Sequence, residues 1–204
     1  AAPFPRQDLR AFTARLPFPL TGAQRRAVEE AGADLRPPTP MNRLLQGDVG
    51  SGKTIIAILA LMTVCLNGLQ GALMVPTEVL ARQHMESMQE LFGAHHIPLT
   101  PILLIGSMTA KEKREAYARI EAGEADIVIG THRLLSKDVE FKDLGLLVID
   151  EEQRFGVAHK EKIKKLKENV DVLTLTATPI PRTLHMSLIG IRDMSVLEEK
   201  SEAK

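Results

Sequence analysis

The stretch Gly47-Asp48-Val49-Gly50-Ser51-Gly52-Lys53-Thr54 has the spacing G-x-x-x-x-G-K-[ST], which is typical of a phosphate-binding loop. A short segment at residues 43–46 precedes it, and a long apolar run at residues 55–62 follows it. Strand, glycine-rich loop and helix are the context that such a loop requires. The alternative is an ordinary glycine-rich turn before a core helix, but glycine makes such a turn costly in backbone entropy. The stretch therefore predicts a nucleotide-binding site.

Each part of this loop has a predicted role. The glycines let backbone N–H groups turn toward a phosphate, and the positive end of the following helix adds to the attraction. Lys53 is expected against the β- and γ-phosphates, and Thr54 is expected to hold Mg²⁺ through its hydroxyl. We therefore expect ATP and Mg²⁺ as cofactors, with the whole of Gly47–Thr54 in contact with them.

Composition narrows the class of protein. The chain has 204 residues, 44% of them hydrophobic and 25% charged, which is ordinary for a globular domain. Its formal net charge is zero, so contact with DNA or RNA requires a local basic patch. The single cysteine, Cys65, suggests a buried structural thiol and a cytoplasmic location. No apolar run approaches the length of a membrane span, so no membrane contact is expected.

The two ends of the chain differ from the middle. Residues 1–19 are rich in proline and are predicted to form an N-terminal arm, and residues 199–204 a polar tail. The start, Ala1-Ala2-Pro3, has neither an initiator Met nor a signal-peptide pattern, which indicates a piece of a longer protein. Residues 20–198 are expected to form one domain.

Short apolar strands alternate with helices along this domain. Strands are predicted at residues 43–46, 72–75, 101–105, 126–130, 144–149, 170–175 and 194–197. Helices are predicted at residues 21–31 and 181–189 among others, with Thr77 and Thr109 as N-caps and Gly68 and Gly123 as helix ends. Uniformly apolar strands are typical of a mostly parallel sheet with helices on both faces, which is an α/β fold. Ligands of such sheets bind beyond the carboxyl ends of the strands. The motifs at predicted strand ends are Gly47–Thr54, Pro76-Thr77, Gly106-Ser107, Thr131–Arg133, Asp150–Gln153 and Thr176–Thr178.

An acidic pair follows the fifth predicted strand. Asp150 is expected to hold the metal, directly or through water, and Glu151 to polarise the attacking water. A solvated acidic turn after a core strand is the alternative. The upstream phosphate-binding loop favours the catalytic interpretation.

The order of these motifs resembles that of superfamily 2 helicases. More narrowly, the chain resembles the first motor domain of the RecG branch-migration helicases and of the transcription-repair coupling factors (Mfd). Residues 16–108 are RecG-like, with Leu16-Pro17-Phe18, Leu20-Thr21-Gly22-Ala23-Gln24 and Pro76-Thr77-Glu78. From about Gly130 the chain is closer to Mfd, with Thr131-His132-Arg133-Leu134-Leu135 and Asp150-Glu151-Glu152-Gln153-Arg154-Phe155-Gly156-Val157.

The resemblance implies a RecA-like P-loop NTPase domain that binds Mg-ATP and moves on duplex or branched DNA. Adenine would lie against Phe18, Leu20, Thr21 and Gln24, although Thr21 and Gln24 also suit a helix capping box. Gln153 would join Lys53, Asp150 and Glu151 in catalysis. Thr176, Ala177 and Thr178 would couple nucleotide state to DNA, with Gln153 as the nearest relay. The residues implied to track the DNA backbone are Pro76, Thr77, Arg82, Gly106, Ser107, Thr131, His132 and Arg133, for which helix capping or loop turning is the alternative.

Such a motor also needs a second RecA-like lobe, which supplies an arginine finger. Because the chain matches only the first lobe, we expect weak nucleotide binding and slow or no hydrolysis by the chain alone. RNA polymerase is a further expected partner if the parent is Mfd-like. The alternatives are a catalytically silent nucleotide-binding module, a mosaic of two parents, or an RNA-directed superfamily 2 lobe. Asp150–Gln153 reads Asp-Glu-Glu-Gln instead of Asp-Glu-Ala-Asp, which disfavours the RNA-directed class.

Overall fold

The computed structural model describes residues 42–47, 52–151, 154–177 and 193–197, the last of these as backbone only. The predicted N-terminal arm and polar tail lie outside the described residues. So do the predicted helices at residues 21–31 and 181–189 and the residues predicted to hold adenine.

Seven strands and four α-helices are present among the described residues. Their order is β1 (Asn42–Gly47), α1 (Lys53–Leu66), β2 (Gln70–Met74), α2 (Glu78–Ala94), β3 (Pro101–Leu104), α3 (Ala110–Ala122), β4 (Ile127–Gly130), a 3-10 helix (His132–Leu135), β5 (Leu144–Asp150), α4 (Val157–Leu166), β6 (Asp171–Thr176) and β7 (Asp193–Leu197). The seven predicted strands are confirmed, with small corrections at their ends. β2 begins two residues before the predicted start, because Gln70 is already buried and paired with β5. β3 ends one residue earlier than predicted, at Leu104.

The strands form one sheet in the order β3-β4-β2-β5-β6-β1-β7, and every described pair is parallel. Parallel pairing brings all the carboxyl ends to one edge of the sheet. β6 lies between β1 and β5, with Gln46 opposite Thr176 and Asp150 opposite Leu175. The end of the first strand therefore lies about 10 Å from the acidic pair, across one intervening strand.

Helices cover both faces of the sheet, as predicted. One apolar cluster joins α1 and α2 to the sheet through side chains such as Leu73 and Val148. The other joins α3, α4 and the 3-10 helix through the alternate positions, such as Met74 and Ile149. This alternation explains why the strands are apolar throughout, since both sets of side chains are buried.

Helix α1 is the central element of the core. Every residue from Ile56 to Cys65 is buried, so the helix is covered on all sides. Each large aliphatic side chain of this kind contributes about 1.5–3 kcal/mol when it is fully buried. No helix among the described residues is both long and apolar enough to cross a bilayer.

The helix ends match their predicted caps. The Thr77 hydroxyl accepts a hydrogen bond from the Leu80 N–H at 3.2 Å at the start of α2. Thr109 and Glu112 form a reciprocal capping box at the start of α3. Gly68 after α1 and Gly123 after α3 both have left-handed backbone angles, with φ of 85° and 77°, as glycines at helix ends commonly do.

Candidate functional site

The predicted phosphate-binding loop lies in the chain between β1, which ends at Gly47, and α1, which begins at Lys53. Gly52 at the N-cap of α1 has φ 86° and ψ 21°, a left-handed conformation that favours glycine. Glycine offers no side chain to cap the first turn of α1, so the N–H groups of that turn remain suited to an anion. Asp48, Val49, Gly50 and Ser51 lie outside the described residues.

Lys53, the first residue of α1, contacts the last residue of β1. Its Nζ donates a hydrogen bond to the carbonyl oxygen of Gly47 at 3.1 Å. Burial and Glu151 raise the pKa of Asp150, and the positive charge of Lys53 partly opposes this increase. Lys53 and the acidic pair therefore belong to one electrostatic site. Thr54 is half-buried in the same turn.

Asp150 is the last residue of β5, and its surroundings favour a bound cation. Burial and the neighbouring charge of Glu151 raise its pKa, while Lys53 and Arg154 act in the opposite direction. A divalent cation would offset both causes of the increase. With the Thr54 hydroxyl, these carboxylates provide the hard oxygen donors that Mg²⁺ prefers. The residues present therefore fit a magnesium ion.

Glu151 has a strained backbone and a specific partner. Its φ is 55°, in the left-handed region that costs a residue with a side chain about 1–2 kcal/mol. Its N–H donates to the Leu175 carbonyl at 2.9 Å, and its Oε1 accepts from the Ala177 N–H at 3.4 Å. The strained turn thus connects the acidic pair to the end of β6. Thr176 is buried at this point, while Gln153 and Thr178 lie outside the described residues.

His84 is a neighbour of the acidic pair that sequence reasoning missed. It lies on α2, and its Nε2 is 4.0 Å from Asp150 Oδ2, with the two side chains 16% and 18% exposed. Burial lowers the pKa of His84, which favours the neutral imidazole. The only signal in the sequence was its position two helical turns after Thr77, which placed it on the same face of the helix.

A second group of predicted residues meets at the ends of β2, β3 and β4, which are adjacent in the sheet. Arg82 Nη2 lies 3.3 Å from Ser107 Oγ, and the Ser107 N–H donates to Glu78 Oε1 at 3.0 Å. The Arg133 guanidinium also lies close to Gly106, 3.8 Å from where a Cβ on this glycine would be. The structure therefore brings Arg82, Gly106, Ser107 and Arg133 together, with Glu78 among them.

Other residues of this predicted group are placed differently. The Thr77 hydroxyl is engaged in capping α2, and Pro76 precedes it as a half-buried residue. Thr131 is only 5% exposed, so its side chain faces the core. Contact between Thr131 and a ligand at the surface would have to involve its backbone.

The exposed His132 is stacked on a residue that sequence reasoning did not single out. Its ring lies parallel to that of His159, with centroids 4.7 Å apart and planes at 22°. Phe155 packs edge-on against His159 at 6.5 Å and is itself buried. Burial lowers the pKa of His132, and the nearby His159 and Arg133 lower it further. Phe155, which had no assigned role, thus supports the residue on which His132 rests.

A sequence profile of the DEAD/DEAH box helicases matches residues 21–187. This chain belongs to the DEAD/DEAH box helicase family. The parallel sheet with helices on both faces is that of a RecA-like helicase domain.

Relatives of this helicase domain include transcription-repair-coupling factors, one of the two groups that the sequence resembles. The transcription-repair-coupling factor of Bacillus subtilis is 55% identical over 193 residues, covering 95% of this chain and 16% of the relative. The transcription-repair-coupling factor of Staphylococcus epidermidis is 52% identical over 192 residues, covering 94% of this chain and 16% of the relative. The domain therefore spans about a sixth of the length of these relatives.

Solved structures agree with the fold. A RecG bound to a three-way DNA junction superposes with a TM-score of 0.84 at 41% identity, covering 98% of this chain and 27% of that one. The DEAD-box helicase Mss116, bound to ssRNA and UDP-BeF, has a TM-score of 0.74 at 16% identity, covering 97% of this chain and 44% of that one. At that identity the second similarity supports the fold alone.

Proposed function

We propose that this chain is the ATP-binding first motor lobe of an ATP-dependent DNA helicase or translocase of the RecG/Mfd type, acting in DNA repair and recombination. The observation that carries the proposal is the convergence of Lys53, Asp150 and Glu151 at one edge of the sheet. One ammonium, two carboxylates and a helix N-terminus form the set of groups that Mg-ATP requires.

In this proposal each group of the site has a separate task. Lys53 leaves its contact with the Gly47 carbonyl to hold the terminal phosphates, together with the N–H groups of the whole loop Gly47–Thr54. Thr54 and Asp150 hold Mg²⁺, which neutralises charge on the phosphates when it is bound. Glu151 orients the attacking water, with Gln153 nearby. Adenine is held by Phe18, Leu20, Thr21 and Gln24.

The proposed coupling of nucleotide to DNA passes through the strained turn. Glu151 contacts the Ala177 N–H, so a change in the position of this carboxylate on hydrolysis would be felt at the end of β6. Thr176, Ala177 and Thr178 are the residues we assign to this coupling. The contact through Glu151 adds a direct route beside the relay through Gln153.

The proposed DNA surface lies at the neighbouring strand ends. Arg82 and Arg133 supply cations, and Ser107 supplies an N–H and a hydroxyl, which are the groups that hold a phosphate backbone. We assign Pro76, Thr77, Gly106, Thr131 and His132 to the same surface. Duplex or branched DNA, a second RecA-like lobe and, in an Mfd-type parent, RNA polymerase are the proposed partners, with a cytoplasmic location.

A titration with a fluorescent ATP analogue tests the nucleotide site. Lys53→Ala should weaken binding at least about tenfold, since it removes a charge-assisted contact to phosphate. The exposed Lys160→Ala on α4 is a matched control that removes a lysine elsewhere and should leave the affinity unchanged. Equal affinity of the wild type and Lys53→Ala would contradict the proposal.

A competition experiment tests the choice of nucleic acid. Unlabelled duplex DNA should displace a labelled DNA duplex more effectively than RNA of the same sequence. Stronger displacement by RNA would favour an RNA-directed lobe. A protein that binds nucleotide but binds neither DNA nor RNA would instead be a catalytically silent module.

A further inference from the structure

An acidic side chain occupies the centre of the basic cluster at the ends of β2 and β3. The Oε1 of Glu78, the first residue of α2, accepts a hydrogen bond from the Ser107 N–H at 3.0 Å. Arg82 lies 3.3 Å from the hydroxyl of the same serine. Ser107 thus connects the carboxylate and the guanidinium, and all three groups are at the surface or half-buried.

Gly106 allows this carboxylate to approach the backbone closely. A Cβ on Gly106 would lie 3.2 Å from Glu78 Oε1 and 3.8 and 4.0 Å from the Nε and Nη2 of Arg133. The carboxylate and the second guanidinium therefore meet around the same small space, which any larger residue would fill. Glu78 and Arg133 thus lie beside Gly106, and Arg82 lies beside the neighbouring Ser107.

The carboxylate is held in its charged form. The Ser107 hydroxyl contributes most to lowering the pKa of Glu78. Burial acts in the opposite direction, and the Ser107 N–H, the charge of Arg82 and the Gly106 N–H lower the pKa further. Groups that stabilise a carboxylate anion in this way also bind phosphate. A close backbone approach at a glycine, a backbone N–H directed at the ligand and arginine side chains are the usual components of a phosphate site.

We propose that Glu78 is an internal competitor, which occupies a site for one backbone phosphate formed by Arg82, Gly106, Ser107 and Arg133 and must leave when nucleic acid binds. This inference rests on the proposed function and adds its regulation. In the free protein Glu78 offsets part of the charge of Arg82 and accepts the hydrogen bond of the Ser107 N–H. A DNA phosphate has to displace it, which weakens binding and sets a threshold for engagement.

The alternative is that Glu78 only braces the loop after β3. A brace would make its removal lower DNA affinity, because Ser107 would be less well ordered. A competitor would make its removal raise DNA affinity, because the site would be vacant. The two roles therefore differ in the sign of one measurement.

The test is a fluorescence anisotropy titration of a labelled DNA duplex at several NaCl concentrations. Glu78→Gln keeps the size and the accepting oxygen but removes the charge, so binding should be about two- to five-fold tighter, the effect of one exposed charge pair. The slope of log K against log salt should become steeper by up to about 0.9, because one more phosphate is neutralised.

Glu112→Gln is the matched control. The Thr109 N–H, which donates to the Glu112 carboxylate at 2.9 Å in the capping box of α3, contributes most to lowering the pKa of Glu112. The charge of Arg82 also lowers this pKa, so Glu112 is a second carboxylate near the same arginine. A gain as large as that of Glu78→Gln would mean a general charge effect and would overturn the inference. Glu78→Asp keeps the charge but shortens the reach to Ser107, so its affinity should lie between those of the wild type and Glu78→Gln.

A double variant tests whether the groups act on the same phosphate. In an Arg82→Gln background the gain in DNA affinity from Glu78→Gln should largely disappear. The guanidinium that loss of the Glu78 charge would make available to a phosphate is then absent. Unchanged or weaker DNA binding by a folded Glu78→Gln protein would overturn this inference but not the proposed function. Absence of DNA binding by both the wild type and the variant at low salt would contradict the proposed function and the inference together.

Discussion

At the scale of single residues, the acidic pair, Asp150 and Glu151, is arranged in a way that suits a ligand but lowers the stability of the ligand-free protein. Asp150 is partly buried beside the like charge of Glu151, and Glu151 adopts a left-handed backbone. Neither feature benefits folding. Both are explained if a cation and phosphates complete the site, since strain of this kind persists where function requires it.

Asp150→Asn should therefore stabilise the nucleotide-free protein. The folded pKa of Asp150 is raised above its ordinary value, so the native state binds the proton more tightly and stability is lost as pH rises through the folded pKa. At neutral pH the amide removes this cost, and the melting temperature should rise by up to about 4 °C, the effect of about 1 kcal/mol in a chain of this size.

Thermal unfolding with and without Mg-ATP measures both effects. The exposed Asp138→Asn is the control and should not change the melting temperature. The stabilisation of the wild type by Mg²⁺ with nucleotide should be lost in Asp150→Asn. A lower melting temperature of the free variant would mean that Asp150 is a structural residue.

Cys65 should be inert until the protein unfolds. Its side chain is 5% exposed, its Sγ lies 3.2 Å from the Asp126 carbonyl oxygen, and burial raises its pKa to about 12. The thiolate is the reactive form, so alkylation by iodoacetamide at pH 8 should be negligible in the native protein. Complete labelling in denaturant is the positive control, and rapid native labelling would contradict the packing of α1 against the sheet.

At the scale of elements, the edge pair β3–β4 depends on one glycine. A Cβ on Gly130, the last residue of β4, would collide with the carbonyl oxygen of Leu104 on β3 and crowd the Leu134 side chain at 3.2 Å. The strands could then not keep their spacing, and the first turn after β4 would have to move. Val75 N–H donates to the Gly130 carbonyl at 2.9 Å, so β2 would be affected as well.

Gly130→Ala should consequently destabilise the protein, by about 1–3 kcal/mol as overpacking usually does. Gly93→Ala in α2 is the opposite control, because its Cβ would meet nothing within 4 Å and alanine favours the helix. That variant should gain about 0.5–1 kcal/mol. Urea unfolding followed by circular dichroism gives both free energies, and a neutral Gly130→Ala would contradict the close approach of β3 and β4.

At the scale of the whole molecule, the sheet separates two tasks along one edge. The ends of β1, β5 and β6 carry the proposed nucleotide site, and those of β2, β3 and β4 carry the proposed DNA surface. β2 and β5 are neighbours, and His84 on α2, the helix that follows β2, contacts Asp150 at the end of β5. The two sites therefore meet at the centre of the sheet, where a change at one can reach the other.

The chain alone should be a poor ATPase. An arginine finger from a second lobe contributes about 10³–10⁵ in rate to such enzymes, and this chain spans only 16% of its coupling-factor relatives. We expect turnover to stay far below ordinary helicase rates with or without branched DNA. A steady-state ATPase assay on the monomer measures this, and turnover at helicase rates would refute the need for a second lobe.

Local signals in the sequence were sufficient for the elements. The apolar runs predicted the described strands to within two residues, and Thr77, Thr109, Gly68 and Gly123 predicted helix ends. These features depend on neighbours within about four positions, where backbone hydrogen bonding and capping act. The family motifs likewise predicted that their residues would lie at strand ends.

The contacts between those ends could not be predicted in the same way. Glu78 with Ser107, His84 with Asp150, and His132 with His159 join residues far apart in the chain. Each contact depends on which strands are adjacent, and the order β3-β4-β2-β5-β6-β1-β7 follows from packing both faces of the sheet at once.

The sequence by itself determined the parallel α/β domain, its phosphate-binding loop and its acidic pair, because periodicity and motif spacing are local properties. Only the tertiary structure decided that a carboxylate lies among the arginines and that a histidine lies beside the acidic pair. The physical reason is that side-chain distance across a sheet is set by strand order and register, which no local pattern encodes.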